Sequence, residues 1–305
     1  MRKTWLAIVL TAALLLFASA AAARNIYVNN VAGNDKSSGS QPGGATVGAG
    51  PVQTITKALR LAQSGDRIVL AATGQPYRES ISLVGSRHSG TPAEPMVIEG
   101  HGATLDGSAP VPPVAWEYYR GPVYRFQPPH VAYQQLFLGD RPVARVPVNK
   151  PAAEPPKLDP LQWSLHGAYV YFAVEPGKFP EDYPLSYADQ QVGITLYDVQ
   201  WVVIQDLTVR GFQLDGTSAF NSARAVQLAR VTCRANGRSG VAVGGASIVD
   251  LDSCVLGGNG QAQLLTLPWS ETVVKRSQLL SDTAPARFDR GGKLEIDGKR
   301  VPLPR

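Results

Sequence analysis

Apolar and polar residues alternate in a recurring pattern along residues 202–282. Four segments share one order of apolar positions, the fourth less regularly: VVIQDLTV, VQLARVTC, VDLDSCVL and TVVKRSQL, which begin at Val202, Val226, Val249 and Thr272. Successive segments therefore begin 24, 23 and 23 residues apart. Alternation with a period of two predicts β-strands, and an additional residue in the middle of each segment predicts a corner at which the strand changes direction.

The turn residues follow the same spacing as the strands. Asn236-Gly237 and Asn259-Gly260 are 23 residues apart, and Asn-Gly tolerates the left-handed backbone of a tight corner. Repeats of this length without a helical segment are typical of a chain that climbs one strand spacing, about 4.8 Å, per repeat. A leucine-rich repeat would show a ladder of Leu and Asn, and a propeller blade would need four strands in about 40 residues. The pattern predicts an all-β fold, a parallel β-helix (solenoid).

The rest of the chain divides into segments of different character. Residues 24–109 predict an N-terminal cap and the first coils, and an amphipathic helix at residues 54–63 would cover the open apolar end. Residues 110–191 are rich in Pro and aromatic residues and predict a β-rich insertion, with a hairpin around Gly139-Asp140. Residues 192–285 hold the regular coils, and Asp297-Gly298 predicts a C-terminal hairpin in residues 286–305.

The N-terminus has the pattern of a secretory signal peptide. Arg2 and Lys3 precede an apolar run and then a small-residue stretch that ends at Ala23. The apolar run is shorter than the roughly 20 residues that a transmembrane helix needs. We therefore expect residues 1–23 to be removed, no membrane span, and a secreted protein, either periplasmic or extracellular.

Charge and cysteine content narrow the classes of function. Without Arg2 and Lys3 the net charge falls from +5 to +3, and the basic residues are scattered along the chain. Because nucleic-acid-binding proteins usually carry a clustered basic face, nucleic acid is not an expected partner. Cys233 aligns with Leu256, whereas Cys254 falls two residues, about 6.6 Å of strand, away in the repeat. We predict two buried thiols and no disulfide.

Several stretches carry a family resemblance. IYVNN at residues 26–30, QTITKALRLAQSGDRIVLAATGQPYRE at residues 53–79, PMVIEGHGATLDG at residues 95–107 and the Asn-Gly coils together resemble secreted right-handed parallel β-helix proteins of the pectate-lyase-like superfamily. The resemblance implies a right-handed coil and a polysaccharide or glycan as partner, and we expect a monomer. The superfamily includes polysaccharide lyases, glycoside hydrolases, epimerases and non-catalytic surface proteins, so the function must be argued from a site.

The resemblance also implies what a catalytic site would need. Uronate lyases abstract a proton beside a carboxylate, which requires a neutralising cation, either Ca²⁺ or basic side chains, and a Lys or Arg as base. In the repeat, Lys275 aligns beside Asp252, with Arg276 next to it, and these three are the candidate catalytic residues. Solvated charges on an ordinary exposed sheet are the alternative. No His has metal-ligand spacing, so no metal site is predicted from the residues themselves.

The strands that follow Asn-Gly carry little chemistry of their own. Their predicted outward residues are Ala242 and Thr266. The loops nearby offer four candidate substrate-binding residues: Asp215, Arg238, Trp269 and Glu271. Two functions follow. The first is a polysaccharide-active protein, a lyase of acidic (uronate) polysaccharide; the second is a non-catalytic glycan-binding or cell-surface β-helix protein.

Overall fold

The structure is a computed structural model that describes residues 23–43, 48–148 and 153–302. β-strands are the main secondary structure of these residues, and helices are few and short. None of the helices within these ranges is long and apolar enough to cross a membrane. The predicted signal peptide, apart from its last residue Ala23, lies outside the described residues.

The largest sheet, here called the first sheet, is parallel except for its last strand. Its main strands, in spatial order, are Asn25–Val28, Arg67–Leu70, Met96–Asp106, Gln200–Arg210, Arg224–Ala229, Ile248–Asp252, Glu271–Lys275, Lys293–Ile296 and Lys299–Val301. Beyond the corner of the long strand Gln200–Arg210, the same sheet continues through Thr232–Arg234, Val255–Gly257 and Gln278–Leu279. We call the part before the corner the first half of this sheet and the part beyond it the second half.

The pairing of these strands follows the alignment of the sequence segments. Val202 pairs with Val226, Val226 with Val249, and Val249 with Thr272. Beyond the corner, Val209 pairs with Cys233. The predicted register of the four segments is thus confirmed over both halves of the sheet.

A second sheet faces the first and is parallel throughout. Its strands, in spatial order, are Arg287–Asp289, Ala262–Thr266, Ser239–Val243, Asp215–Phe220, Ile194–Tyr197 and Ile81–Val84. The chain passes alternately between the two sheets, so each sheet supplies one wall of a single apolar core. Val202, Leu228 and Val241 are among its fully buried members.

The corners of the first sheet use the left-handed backbone at the additional position of each segment, whereas the left-handed backbone predicted at Asn-Gly falls one residue earlier, on Ala235 and Gly258. Asp206, Arg230, Ser253 and Arg276 hold the additional position of each segment, with φ values of 54°, 53°, 56° and 48°. The left-handed region turns the strand at each coil without interrupting the sheet. At the next corner Asn259 is fully buried, and its Oδ1 accepts the Asn236 backbone N–H at 3.0 Å.

The N-terminal helix spans Ile55–Leu61, shorter than predicted, and packs against the first strands of both sheets. Thr54 caps it by accepting the Lys57 backbone N–H, and the Glu79 carboxylate accepts the Ile55 and Thr56 N–H groups, each at 2.8 Å. A carboxylate at a helix N-terminus is favourable because it complements the helix dipole. A second helix, Gly85–His88, and 3₁₀ turns at Pro113–Ala115 and Pro180–Asp182 complete the helical elements within the described residues.

Two further sheets lie between Asp106 and Val192 in the chain. The larger contains Ala144–Arg145, Gln162–His166, Tyr169–Ala173, Val123–Phe126 and Glu117–Arg120, and the smaller contains Ser108–Pro110, Leu185–Ala188, Leu136–Leu138 and Arg141–Pro142. Trp163, Phe126 and Phe172 are buried in the core of this region. Part of it packs beside the coils, since any side chain at Gly237 would collide with the Tyr133 carbonyl oxygen.

One outward position of the second sheet differs from the prediction, and the C-terminal hairpin agrees with it. In the second sheet Ala242 pairs with Leu265, and Thr266 pairs with the core residue Val243, so the outward position that was predicted at Thr266 belongs to Leu265. The predicted C-terminal hairpin is present: Lys293–Ile296 and Lys299–Val301 pair antiparallel around Asp297 and Gly298. Cys233 and Cys254 are buried and are not joined to each other.

Candidate functional site

A row of charged residues crosses the outer face of the first sheet in its second half. Asp106 pairs in register with Arg210, and Arg210 with Arg234. The residue before each of them in its strand is fully buried: Leu105, Val209 and Cys233. By alternation, the side chains of Asp106, Arg210 and Arg234 therefore lie on the outer face. Parallel strands lie about 4.8 Å apart, which places two arginines side by side on neighbouring strands.

Arg210 links this row to the insertion. Its Nε donates to Asp106 Oδ2 at 3.1 Å, and its Nη2 lies 2.5 Å from Asp140 Oδ1. The Asp106 side chain is only 2% exposed, whereas that of Asp140 is 79% exposed. The hydrogen bond from Arg210 lowers the pKa of Asp140, and the positive charges of Arg234 and Arg78 lower it further.

A hairpin holds Asp140 above the sheet. Leu136–Leu138 and Arg141–Pro142 pair antiparallel, which confirms the hairpin predicted around Gly139-Asp140. Gly139 has a φ of 59°, a backbone that glycine adopts readily. The buried Phe137 packs against Ala188 and Ala235 and anchors the hairpin to the coils. The base of the hairpin is therefore fixed against the coils, while the carboxylate of Asp140 at its tip is exposed to solvent.

Hairpin and sheet enclose two adjoining cavities that share Asp140, Arg210 and Arg234 in their walls. The first is about 360 Å³, and Phe137, Val255 and Leu280 give it an apolar wall. The second is about 610 Å³, is more polar, and extends to residues 72–78. We call the two together the Arg210 cleft. It crosses five neighbouring strands, a length of roughly 19 Å at about 4.8 Å per strand.

Asp282 closes the apolar end of the Arg210 cleft. Its carboxylate accepts the Gly258 backbone N–H at 2.8 Å and the Gln263 side-chain amide at 3.0 Å. At the other end, Arg78 donates to the Ser108 carbonyl oxygen and lies 4.0 Å from Asp106. Both ends are thus fixed by hydrogen bonds to neighbouring segments, so the cleft is preformed.

The cleft is better suited to binding than to hydrolysis. Glycoside hydrolysis uses two carboxyl groups about 5 to 10 Å apart, one of which must be protonated. The Asp106 and Asp140 oxygens that contact Arg210 Nη2, at 3.0 and 2.5 Å, lie at most 5.5 Å apart. However, both carboxylates are already paired with one guanidinium, and the pKa of Asp140 is lowered, so Asp140 is not a proton donor at neutral pH.

The candidate catalytic residues lie on the first half of the sheet, away from the cleft. Asp252 and Lys275 are register partners, as the alignment predicts. The ion pair, however, joins Asp252 to Arg276 at the corner, while Lys275 is exposed and has no ion pair among the described residues. The structure brings the three together on an open face. Nothing in it tests their catalytic role, which stays a prediction.

The four candidate substrate-binding residues form two separate groups. Asp215 is fully buried and makes a two-point ion pair with Arg238, whose side chain is 27% exposed, at the start of the second-sheet strands. Trp269, 86% exposed, and Glu271, which pairs with Lys293, follow the ends of those strands. The structure does not bring the two groups into one site, and their binding role stays a prediction.

The described residues do not fit the Ca²⁺ site that the resemblance implies. No three acidic, His or Cys side chains converge in the described part of the chain. The two aspartates of the cleft are paired with Arg210 instead. Calcium prefers six to eight oxygen ligands, a set that these side chains do not supply.

The sequence pattern does not single out Asp106 or Asp140 as site residues. Arg210 and Arg234 are visible as adjacent outward charges of the repeat, which is a usable signal. Asp140 lies 70 residues before Arg210 in the chain, and the predicted hairpin is the sequence signal for its position in a turn. Only the packing of that hairpin on the sheet brings the two side chains together.

The overall fold is similar to that of a solved structure described as a glycoside hydrolase. This structure has a TM-score of 0.58 and 11% sequence identity, with 91% of this chain and 74% of that chain covered. The complex of XylC with xylose has a TM-score of 0.45 and 11% identity, with 89% and 69% covered. No family model matches the chain, and no curated protein matches it. At this identity the similarity concerns the fold alone.

Proposed function

We propose that this chain is an exported, monomeric protein that binds a polysaccharide in the Arg210 cleft. We further propose that its fold is a right-handed parallel β-helix of the pectate-lyase-like superfamily. Two facing parallel sheets, with the chain alternating between them every 23 or 24 residues, support the fold. The signal-peptide pattern of residues 1–23 supports export.

The Arg210 cleft is the observation that carries the proposed function. A sugar ring presents apolar C–H faces and a polar edge, so it needs an apolar wall and convergent polar groups. Phe137, Val255 and Leu280 provide the wall, while Arg210 and Arg234 line the same space. A cleft of roughly 19 Å that crosses five strands has room for several units of a linear chain, which favours a polymer over a monosaccharide.

A lyase of acidic polysaccharide is the second candidate, and the exposed Lys275 beside Asp252 favours it. In this proposal Lys275 is the base, and Arg276, which Asp252 holds at the corner, neutralises the uronate carboxylate. Trp269 and Glu271 extend the same face toward the second sheet, and the exposed indole of Trp269 is free to stack on a sugar ring. Asp215 and Arg238 would act from the opposite end of the second-sheet strands.

A panel of neutral and acidic polysaccharides tests both proposals. The chain from Arg24 onward is expected to bind at least one polymer on a glycan array. Ultraviolet absorbance of the unsaturated product then reports whether a bound uronate polymer is also cleaved. Binding without product supports the proposal of a binding protein. Product formation that is lost in Lys275→Ala supports the proposal of a lyase. Absence of binding to every polymer would refute the proposed function.

A further inference from the structure

Three arginines face one exposed carboxylate in the polar half of the Arg210 cleft. Arg78, Arg210 and Arg234 line the same cavity of about 610 Å³ as Asp140. Building on the proposed function, we infer that this arginine cluster is a binding site for the carboxylate of an acidic sugar, and that Asp140 occupies the site when no ligand is bound. The ligand would then be a polysaccharide that contains acidic residues.

The charges of the cleft support this inference. Asp106 is buried and is held by Arg210 at 3.0 Å, with Arg78 at 4.0 Å, so it compensates one of the three arginines permanently. Asp140 pairs with the same Arg210, so two carboxylates face three arginines and the cluster keeps a net charge of about +1. Arg234 has no ion pair among the described residues, although it lies in register beside Arg210. Like charges on directly neighbouring strands destabilise a sheet. The fold alone gives no reason for Arg234 beside Arg210, whereas the binding of an anionic ligand does.

Asp140 is the carboxylate that a ligand can replace. Its side chain is 79% exposed at the tip of a hairpin whose base is anchored by Phe137, and the hydrogen bond that the structure gives it is to Arg210. Once released, Asp140 is solvated and Arg210 keeps its ion pair with Asp106, so releasing this contact leaves no uncompensated charge inside the fold. Asp106, in contrast, is buried, so releasing it from Arg210 would leave an uncompensated charge inside the protein. A guanidinium binds a sugar carboxylate in the same fork geometry that it offers to an aspartate.

The exchange changes no covalent bond. One carboxylate leaves Arg210 and another takes its place, with Arg234 as a further donor beside it. A neutral sugar offers no charge to replace Asp140, so it would bind without displacing it. Asp140 therefore acts as an internal competitor that selects ligands carrying an acid group.

Calorimetric titration with an oligogalacturonate and its methyl ester tests the inference, because the two probes share one backbone and differ in charge. Asp140→Asn removes the competing charge and keeps the side-chain shape. We expect it to raise the affinity for the acid by about three- to tenfold and to leave the affinity for the ester unchanged. Arg234→Gln is expected to lower the affinity for the acid by about tenfold. Asp250→Asn, on the first half of the sheet, is the control. It removes one negative charge, as Asp140→Asn does, and should leave the affinity for the acid unchanged.

A second titration needs no sugar. Sulfate should stabilise Asp140→Asn against heat more than it stabilises the wild type. Adding Arg234→Gln to both proteins should abolish this difference in stabilisation. If Asp140→Asn binds neither the acid nor sulfate more tightly than the wild type, the inference is overturned. Equal effects on acid and ester would also overturn it, while the proposed glycan-binding function would stand. Sulfate binding that depends on Asp140 and Arg234, without binding of any glycan, would refute the proposed function and retain the arginine site.

Discussion

The buried ion pair between Asp215 and Arg238 gives the sharpest stability prediction. The Asp215 side chain is completely inaccessible to solvent, and Arg238 donates to its two oxygens through Nε at 3.0 Å and Nη2 at 2.5 Å. Ser239 adds a hydroxyl hydrogen bond at 2.6 Å. Replacing Arg238 with Ala leaves a buried carboxylate with one neutral donor.

Removing one partner of a buried pair typically costs about 3 to 5 kcal/mol, because the remaining charge is uncompensated. Arg238 is 27% exposed and the Ser239 hydroxyl remains, so we expect the lower end, about 3 kcal/mol. Arg230→Ala is the matched control, since its partner Asp206 lies at an exposed corner. Exposed pairs are worth about 0 to 1 kcal/mol. Urea unfolding followed by circular dichroism measures both free energies of unfolding.

The comparison also examines Asp215 and Arg238 as candidate binding residues. If Arg238→Ala proves no more destabilising than Arg230→Ala, water reaches Asp215 and the reasoning from burial is wrong. If the cost is near 3 kcal/mol and glycan binding survives in the folded fraction, the pair supports the fold and not the ligand.

Two more predictions concern the N-terminal region. Glu79→Gln removes the charge that accepts the Ile55 and Thr56 N–H groups, so we expect a loss of about 1 to 2 kcal/mol in the free energy of unfolding, measured in urea. Burial by itself raises the pKa of Asp66, but hydrogen bonds from Arg24 and from the Gln63 backbone outweigh it, and the net pKa is lowered. This stabilisation is fully present above the unfolded-state pKa of about 3.9 and is lost as the pH falls through the lower folded-state value. Asp66→Asn should therefore flatten the decline of stability in acid, and an unchanged slope between about pH 2 and 5 would contradict the assignment.

Much of the strand register could be predicted because it depends on local patterns. The pairing of Val202 with Val226 and of Val226 with Val249 follows from apolar alternation alone, since a shift by one residue would expose the core face. The corner at Arg230 follows from the additional residue of the segment. The outward position of one strand was expected at Thr266 and is found at Leu265, which shows the limit of this reasoning. The Asn-Gly spacing of 23 residues places Leu265 beside Ala242, whereas a 24-residue step selects Thr266.

The candidate site could be predicted only in part, because tertiary packing assembles it. Arg210 and Arg234 follow from the repeat, and the hairpin turn at Asp140 follows from Gly139-Asp140. Nothing local in the sequence specifies that this hairpin folds back over Arg210, which lies 70 residues away. That contact depends on the burial of Phe137 against Ala235, a long-range apolar contact with no periodic signal.

The location of bound glycan tests the central claim most directly. Thr232 lines the Arg210 cleft, and Val273 lies on the outer face of the first half of the sheet, in the same strand as Lys275. Titration of the polymer selected on the glycan array is to be repeated with Thr232→Trp and with Val273→Trp. A tryptophan in the cleft should fill it and reduce affinity by more than about tenfold, while Val273→Trp should leave affinity unchanged. Binding that survives Thr232→Trp but is lost in Val273→Trp would place the ligand beside Lys275 and contradict the assignment of the Arg210 cleft.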